Sequence, residues 1–160
     1  MKQIKIGNSE KFILVDDIDF EELNKHKWLI NKGGYPQTRY KTKLVLLHKL
    51  LVNFPETNSI NVCDHINRNR LDYRRENLRV ATRIQNNANR IPNINSKLGT
   101  KGVSIDKRKL KNKFYAYICS DNKKIHIGYF ATIKEAAEAY NKEAIKKWGE
   151  FALLNNIEKL

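Results

Sequence analysis

The chain has 160 residues, enough for one ordinary hydrophobic core or two small ones. Thirty-one Lys and Arg residues oppose seventeen Asp and Glu residues, and the net charge of +14 predicts a polyanionic partner. The hydrophobic fraction of 41% is that of a folded protein, so a folded nucleic-acid binder is favoured over a disordered basic tail or a basic membrane-surface helix.

The cysteine pattern and the N-terminus argue against a disulfide-rich, zinc-binding, secreted or membrane protein. Cys63 and Cys119 are far apart and form no CxxC pair, which argues against a disulfide framework and a four-ligand zinc knuckle. We therefore expect no structural zinc. The first residues alternate like a pair of strands and contain no apolar signal core, and no apolar run reaches membrane length. These features predict a soluble, cytoplasmic protein without a membrane partner.

The first sixty residues predict a scaffold of hairpins and short helices. Apolar residues on both sides of Gly7-Asn8 predict a hairpin, and residues 16–27 have the spacing of a short helix. Residues 28–40, which contain Gly33-Gly34, predict a second hairpin. The apolar run over residues 44–52 predicts a compact helix that ends before Pro55.

From residue 61 the pattern is a strand, a long polar loop over 67–76, a short strand through Leu78, Val80 and Thr82, and a helix over 84–90. Residues 90–100, rich in Asn with Pro92 and Gly99, predict a linker or an extended arm.

The last third predicts a three-stranded sheet followed by one helix. Strands are expected at 103–105, 114–118 and 124–130, with polar turns at 109–112 and 121–122. In the middle strand Tyr115 and Tyr117 alternate with apolar residues, so they should face outward. Thr132 and Glu135 have the spacing of a capping box, and the helix should end at Gly149.

One short segment has the residue types of a phosphodiester-cleaving site. Asp64 and His65 are adjacent, and neighbouring strand residues point to opposite faces, so they can divide metal binding and base work only at a strand end or bend. His65 suits the general base, because an imidazole is largely neutral at physiological pH. Asp64 and Asn86 supply oxygens of the kind that Mg²⁺ prefers. Asn77 is the candidate support residue, because its amide can bond across the loop and to the backbone.

The segment DHINRNRLDYRRENLRVATRIQNNANR resembles the core of HNH endonucleases of the phage and intron-associated homing type. The resemblance implies a ββα-metal fold, with the family's Asp-His pair at Asp64 and His65, its central Asn at Asn77 and its last position at Asn86. Either Asn86 or Asn87 could complete the metal shell. The upstream LLHKLL and Gly34-Tyr35 also match, so the likeness covers most of residues 1–92.

One further histidine and four arginines of this half are also candidates for a role near the site. His48 is shared by the resemblance, but a packed or DNA-proximal scaffold position is favoured for it over a catalytic one. Guanidinium groups match phosphates bidentately, so four loop arginines are candidates to grip the DNA backbone beside the cut. They are Arg68, Arg70, Arg74 and Arg75.

The C-terminal third is strongly basic and resembles a known DNA-binding module. Residues 97–126 contain nine Lys and Arg against two Asp, a net of +7. The segments KGVSI, FYAYI, HIGYFATIKEAAEAYNKEA and GEFALLN resemble the plant Apetala/ethylene-response-factor domain over roughly residues 99–155. That resemblance implies a sheet lying in the major groove. The candidate DNA contacts are Lys101, Lys113, Tyr115, Tyr117, Lys124 and His126.

Together these features predict an α+β protein with an HNH domain over 1–92, its ββα-metal core at 61–90, a linker at 93–98 and a DNA-binding domain over 99–160. The expected function is a Mg²⁺- or Mn²⁺-dependent endonuclease acting on double-stranded DNA in a bacterial or phage-infected cell. A monomer would favour nicking, and a homodimer would be needed for paired cuts. The alternatives are a non-catalytic DNA-binding regulator on an HNH scaffold and a nuclease for structured RNA.

Overall fold

The computed structural model describes residues 1–51, 53–58, 60–92, 96, 98–111, 113–120 and 123–160. The chain divides into two compact units, Met1–Arg83 and Ile84–Leu160. Both contain small sheets and short helices, which confirms the predicted mixture of α and β structure. Within the described ranges, no helix has the length and apolar character needed to cross a membrane.

The first unit begins with the predicted hairpin, formed by β1 (Lys2–Lys5) and β2 (Phe12–Val15). Helix α1 (Asp17–Leu23) follows and is shorter than the predicted helix over 16–27. It ends early because the Leu23 carbonyl accepts the indole N–H of Trp28 at 2.8 Å and the backbone N–H of His26 at 3.2 Å. Trp28 is thereby fixed in the core rather than on a longer helix.

A three-stranded antiparallel sheet comes next, with β3 (Leu29–Ile30), β4 (Pro36–Tyr40) and β5 (Lys43–Leu46) in that order. The predicted hairpin over 28–40 is present, but the predicted helix over 44–52 is wrong. Its first part pairs with β4, and only Leu47–Leu50 forms a 3₁₀ helix. A short apolar run fits a strand as well as a helix, and a tight turn with Lys41 at φ 53° makes the strand pairing possible here. Residue 52 lies outside the described residues.

The segment with the candidate site has the predicted order of strand, loop, strand and helix. Strands β6 (Asn61–His65) and β7 (Leu78–Thr82) pair antiparallel, and helix α2 (Arg83–Ala88) follows directly. The core of this unit is apolar and is built from β1, β2, α1, the 3₁₀ helix, β7 and the residues between these elements. Its buried residues are Ile4, Ile6, Ile13, Val15, Leu23, Trp28, Leu47, Leu51, Tyr73 and Leu78.

The second unit contains the predicted sheet and helix: β8 (Val103–Ile105), β9 (Phe114–Ser120), β10 (Lys123–Phe130) and α3 (Ile133–Trp148). The strands are antiparallel with β9 in the centre. The capping box of Thr132 and Glu135 is formed, and Gly149 caps the end of α3, as predicted. Small side chains let α3 approach the sheet closely, and its buried positions are Ala136, Ala137, Tyr140 and Ala144.

The division between the units falls at the start of α2, whereas the sequence predicts an HNH domain that ends at residue 92. The functional boundary stays a prediction. Most of the predicted linker at 93–98, and the predicted turn at 121–122, lie outside the described residues.

Candidate functional site

Asp64 and His65 occupy the last two positions of β6, the strand end that their division of labour requires. In the register with β7, Asp64 lies opposite Arg79 and His65 lies opposite Leu78. Both side chains are nearly buried, with exposed fractions of 3% for Asp64 and 5% for His65. The two groups are therefore held rigidly at one end of the hairpin.

Asp64 forms an ion pair across the hairpin. The Nε of Arg79 donates to Oδ2 of Asp64 at 2.9 Å, and both side chains are largely buried. A buried carboxylate needs such a partner, because removing the cation would leave an uncompensated charge in a medium of low polarity. The pair therefore offsets part of the cost of burying the Asp64 carboxylate.

The imidazole of His65 lies in an aromatic environment. Its ring meets Tyr73 edge-on at 4.8 Å between centroids, and Tyr35 lies 6.2 Å away. Burial lowers the pKa of His65 to about 4, although Asp64 and Asp72 act in the opposite direction. His65 is thus neutral at physiological pH, which is the form that accepts a proton.

His48 lies in the 3₁₀ helix Leu47–Leu50 and is half-buried. Burial is the largest cause of a lowered pKa of His48, and together with the nearby charge of Lys49 and of a protonated His65 it brings the pKa to about 4. The role of His48, scaffold or DNA-proximal, stays a prediction.

Asn77 joins the two ends of the loop that follows β6. Its Oδ1 accepts the backbone N–H of Asn67 at 2.8 Å, and its Nδ2 donates to the carbonyl of Asp72 at 2.8 Å. Its own carbonyl accepts from the N–H of Ile66, one residue after His65, also at 2.8 Å. These are bonds across the loop and to the backbone, of the kind expected for a support residue; the part Asn77 takes in catalysis stays a prediction.

Asp72 organises the rest of the loop and attaches it to β2. Its carboxylate accepts from Arg74 Nε at 2.8 Å, from Arg74 Nη2 at 2.7 Å and from Asn67 Nδ2 at 2.9 Å. The hydrogen bond from the Arg74 side chain is the largest cause of the lowered pKa of Asp72. On either side, Leu14 of β2 exchanges two 2.8 Å backbone bonds with Leu71 and Tyr73.

The four loop arginines predicted to grip DNA differ in their surroundings. Arg74 pairs with Asp72, and Arg75 donates through Nη2 to the buried carboxylate of Asp19 at 2.8 and 2.9 Å. Arg70 donates to the Gly33 carbonyl, whereas Arg68 is exposed in a left-handed conformation at φ 66°. Three of the four therefore have structural partners, and their predicted contacts with DNA stay predictions.

In the second unit, the sheet surface opposite α3 is aromatic and basic. We call Tyr115, Tyr117, His126 and Tyr129 the aromatic face; Tyr115 lies 5.8 Å from both Tyr117 and Tyr129 and stacks on His126 at 6.1 Å. Lys124 Nζ lies 3.7 Å from the Tyr117 ring centroid. Their neighbours Ala116 and Ile118 are buried against α3, which confirms that the two tyrosines face outward.

The two other predicted DNA contacts are in different settings. Lys113 is exposed, 5.6 Å from the Phe114 ring. Lys101 directs its ammonium group to the end of α2, where it donates to the carbonyls of Asn87, Ala88 and Arg90. The structure thus gives Lys101 a structural function within the second unit, and its predicted contact with DNA stays a prediction.

Comparison with known proteins identifies the family. The chain is 32% identical over 139 residues to a protein named uncharacterized HNH endonuclease L560, from Acanthamoeba polyphaga mimivirus. The alignment covers 85% of this chain and 70% of the relative. The chain belongs to the HNH endonuclease family. No family model matches this HNH protein, and no solved structure matches it.

HNH nucleases generally use divalent metals, so the donors of this chain can be tested against that chemistry. The described part of the chain contains no group of three or more His, Cys, Asp or Glu that could hold a metal ion. Mg²⁺ is usually bound by one or two carboxylates while it keeps waters and takes substrate phosphates. The carboxylate of Asp64 supplies oxygens of this kind, although Arg79 already donates to its Oδ2. Asn86, the predicted second ligand, is half-buried on α2 in the second unit.

Several residues that surround the candidate site are not among those predicted from the sequence. Arg79 could have been found, because a strand pair with His65 at its end brings residue 79 opposite residue 64. Tyr73 and Asp72 gave no such signal, since their contacts depend on the path of an irregular loop. The acidic partner of Arg75, Asp19, lies 56 residues away in sequence.

Proposed function

We propose that this HNH protein is a metal-dependent endonuclease that hydrolyses phosphodiester bonds in double-stranded DNA. The observation that supports this most directly is the pair of Asp64 and His65, a buried carboxylate beside a neutral imidazole at a strand end, in a chain related to an HNH endonuclease. The proposed fold of residues 61–90 is the ββα-metal arrangement of the homing type.

In this proposal His65 takes a proton from the attacking water. The aromatic contacts of Tyr73 fix the ring plane, and burial keeps the imidazole neutral, so the base is ready at physiological pH. Asp64, with Asn86 or Asn87 as a second ligand, would hold Mg²⁺ or Mn²⁺. The cation, when bound, supplies stabilisation of the negative charge that develops on the phosphate and on the departing 3′ oxygen. Asn77 positions the loop that follows His65.

The proposed substrate contacts use both units. The net charge of +14 favours a polyanion, and phosphate contacts supply affinity without sequence information. Arg68 and the aromatic face with Lys113 and Lys124 are the exposed candidates. The Apetala-like second unit would dock on the major groove, and one active site per chain gives nicks from a monomer or paired cuts from a dimer.

Supercoiled plasmid provides the test. Wild-type protein with Mg²⁺ should convert supercoiled DNA to open circles, and EDTA should prevent this. His65→Ala should lower the rate by roughly 100-fold or more, the usual contribution of general base catalysis. His26→Ala is the matched control, because it makes the same change in the same unit with no proposed role in the site.

The outcomes separate the parts of the proposal. A plasmid that stays supercoiled with every divalent metal and DNA tested would refute the enzyme. Equal rates for wild type and His65→Ala would refute the base assignment alone. Preferential cutting of a structured RNA at matched salt would instead assign the substrate to RNA.

A non-catalytic DNA-binding regulator is the second candidate, and the Asp64–Arg79 ion pair is the observation that favours it. An oxygen already shared with a guanidinium at 2.9 Å is a weaker ligand for a cation. A regulator would bind duplex DNA equally well with Mg²⁺ and with EDTA and would leave the plasmid intact. Binding without cleavage would therefore select this candidate.

A further inference from the structure

One arginine at the end of β8 is held in place by a carboxylate. Asp106 follows β8 directly and is only 8% exposed. Its Oδ1 accepts from the backbone N–H of Arg108 at 3.1 Å and from Arg108 Nε at 2.9 Å, and its Oδ2 accepts from Arg108 Nη2 at 3.0 Å. The Tyr129 hydroxyl donates to the same Oδ2 at 3.2 Å. The guanidinium therefore has a fixed orientation.

The Arg108 side chain is nevertheless 87% exposed. An exposed arginine normally loses considerable rotamer entropy when it binds a ligand, whereas this one is already ordered. A guanidinium has five N–H donors, of which Nε and one on Nη2 are bound to Asp106. The two Nη1 donors and the second Nη2 donor make no bond to the residues that the structure describes. The end of the guanidinium, with two parallel N–H groups, is available to a ligand.

The location of Arg108 connects this donor pair to the aromatic face. Tyr129, which shares Asp106 with Arg108, belongs to that face. Lys109 Nζ lies 4.0 Å from the Tyr129 ring centroid, and Lys107 is exposed beside it in sequence. A ligand on the aromatic face would therefore meet a directed guanidinium at its edge, with Lys107 and Lys109 next to it in the sequence.

The charge balance decides which acceptor suits this arginine. Paired with Asp106, Arg108 forms a unit of no net charge, and the carboxylate repels a phosphate. The uncharged edge of a base is not repelled, and guanine presents O6 and N7 as two acceptors that match two parallel N–H donors. The neighbouring lysines have no such carboxylate partner among the described residues and suit phosphates better.

We propose that Arg108 recognises a guanine in the major groove of duplex DNA, donating two hydrogen bonds to O6 and N7 while Asp106 holds the side chain in position. The proposal rests on the proposed function, because it requires duplex DNA as the substrate. Sequence preference would then come from a residue outside the β6–β7 hairpin, which carries Asp64 and His65.

The experiment selects bound sequences from a randomised duplex library, with the full-length protein in EDTA so that no DNA is cut. Wild type should enrich a motif with one strongly preferred guanine. Arg108→Lys keeps the positive charge but lacks the two parallel N–H donors. Its preference for guanine over the other bases should therefore be roughly 5- to 100-fold smaller than that of the wild type. Asp106→Asn should lose part of this preference, because the guanidinium is no longer fixed. Lys107→Ala is the matched control. It should weaken binding to all sequences alike, and the selected motif should keep its preferred guanine.

Each outcome is decisive. A motif that keeps its guanine in Arg108→Lys and Arg108→Ala overturns the proposal. An equal loss for all sequences in Arg108→Ala, with a smaller salt dependence, makes Arg108 a phosphate contact and overturns it too. Wild-type binding to duplex DNA without any preference has the same effect. Failure of the wild type to bind duplex DNA at all refutes the proposed function itself, which is a different result.

Discussion

A substitution at Gly102 should destabilise the second unit strongly, because an added side chain would overlap its neighbours. The φ of Gly102 is +68°, and a Cβ would lie 2.0 Å from Cδ2 of Tyr140 and 2.6 Å from the carbonyl oxygen of Tyr117. Tyr140 is 2% exposed, and the Tyr117 N–H bonds the Gly102 carbonyl at 2.8 Å, so neither neighbour can move freely. Gly102→Ala must therefore displace α3 or separate β8 from β9.

The matched variant is Gly99→Ala, where φ is +62° but nothing lies within 4 Å of the added Cβ. A left-handed alanine costs about 1–2 kcal/mol, partly offset by the lower entropy of the unfolded chain. We expect about 1 kcal/mol of destabilisation for Gly99→Ala. Overpacking adds about 1–3 kcal/mol, so Gly102→Ala should cost about 2–4 kcal/mol. The difference of about 1–3 kcal/mol measures the contact with Tyr140.

Hydrogen exchange with mass spectrometry is the suitable assay, because two units need not unfold together. Peptides from β8 and β9 should lose protection in Gly102→Ala, while peptides from β1 and β2 should not change. Tyr140→Leu should cost less in the Gly102→Ala background than alone, since it makes room for the Cβ. Equal destabilisation by Gly99→Ala and Gly102→Ala would refute the packing of Tyr140 on Gly102.

Other predictions concern the loop and the helix cap. Asn77→Ala should destabilise the first unit by about 2 kcal/mol, because it leaves the buried Asp72 carbonyl and the part-buried Asn67 N–H without the partner that Asn77 supplies; a loss below about 0.5 kcal/mol in urea unfolding would contradict this. Since Arg74 lowers the pKa of Asp72, the carboxylate stabilises the folded state above its unfolded pKa, and this contribution disappears as the pH falls below about 4. Wild type should therefore lose more stability than Asp72→Asn between about pH 6 and pH 3, and parallel unfolding curves would refute the assignment. Thr132→Ala should cost about 1 kcal/mol, mostly restored by Thr132→Ser, because the hydroxyl caps the N–H of Glu135; a serine variant as unstable as the alanine would argue against the cap.

The parts of the fold with regular periodicity could be predicted from the sequence. The second unit was predicted nearly strand by strand, because its alternation is clear and the spacing of Thr132 and Glu135 marks where α3 begins. The hairpin of β6 and β7 was also predictable, and with it the strand-end position of His65. By contrast, the apolar run over 44–52 is compatible with two structures, and pairing with β4 decided between them.

The surroundings of the site could be predicted only in part, because many of its contacts are distant in sequence. The pairing of Arg75 with Asp19 depends on where the loop after β6 packs against α1. The sequence shows only that Arg75 lies in an arginine-rich loop, and this predicted a DNA contact for it. Similarly, a lysine in a basic segment suggests a phosphate, but Lys101 meets the carbonyl end of a helix. Net charge predicts the partner of a whole protein better than the partner of one side chain.

The contacts of Lys101 have a consequence for dividing this protein into fragments. Asn155 accepts the backbone N–H of Lys101 at 2.7 Å and donates to its carbonyl at 3.0 Å, and Leu153 donates to the Ala88 carbonyl at 3.1 Å. A fragment that ends at residue 92 would lose Lys101, Leu153 and Asn155, and the end of α2, with the candidate ligand Asn86, would have no support from them. The shortest fragment that keeps the helix in its native setting extends to Asn155, so recombination at the apparent linker would separate a helix from the residues that cap it.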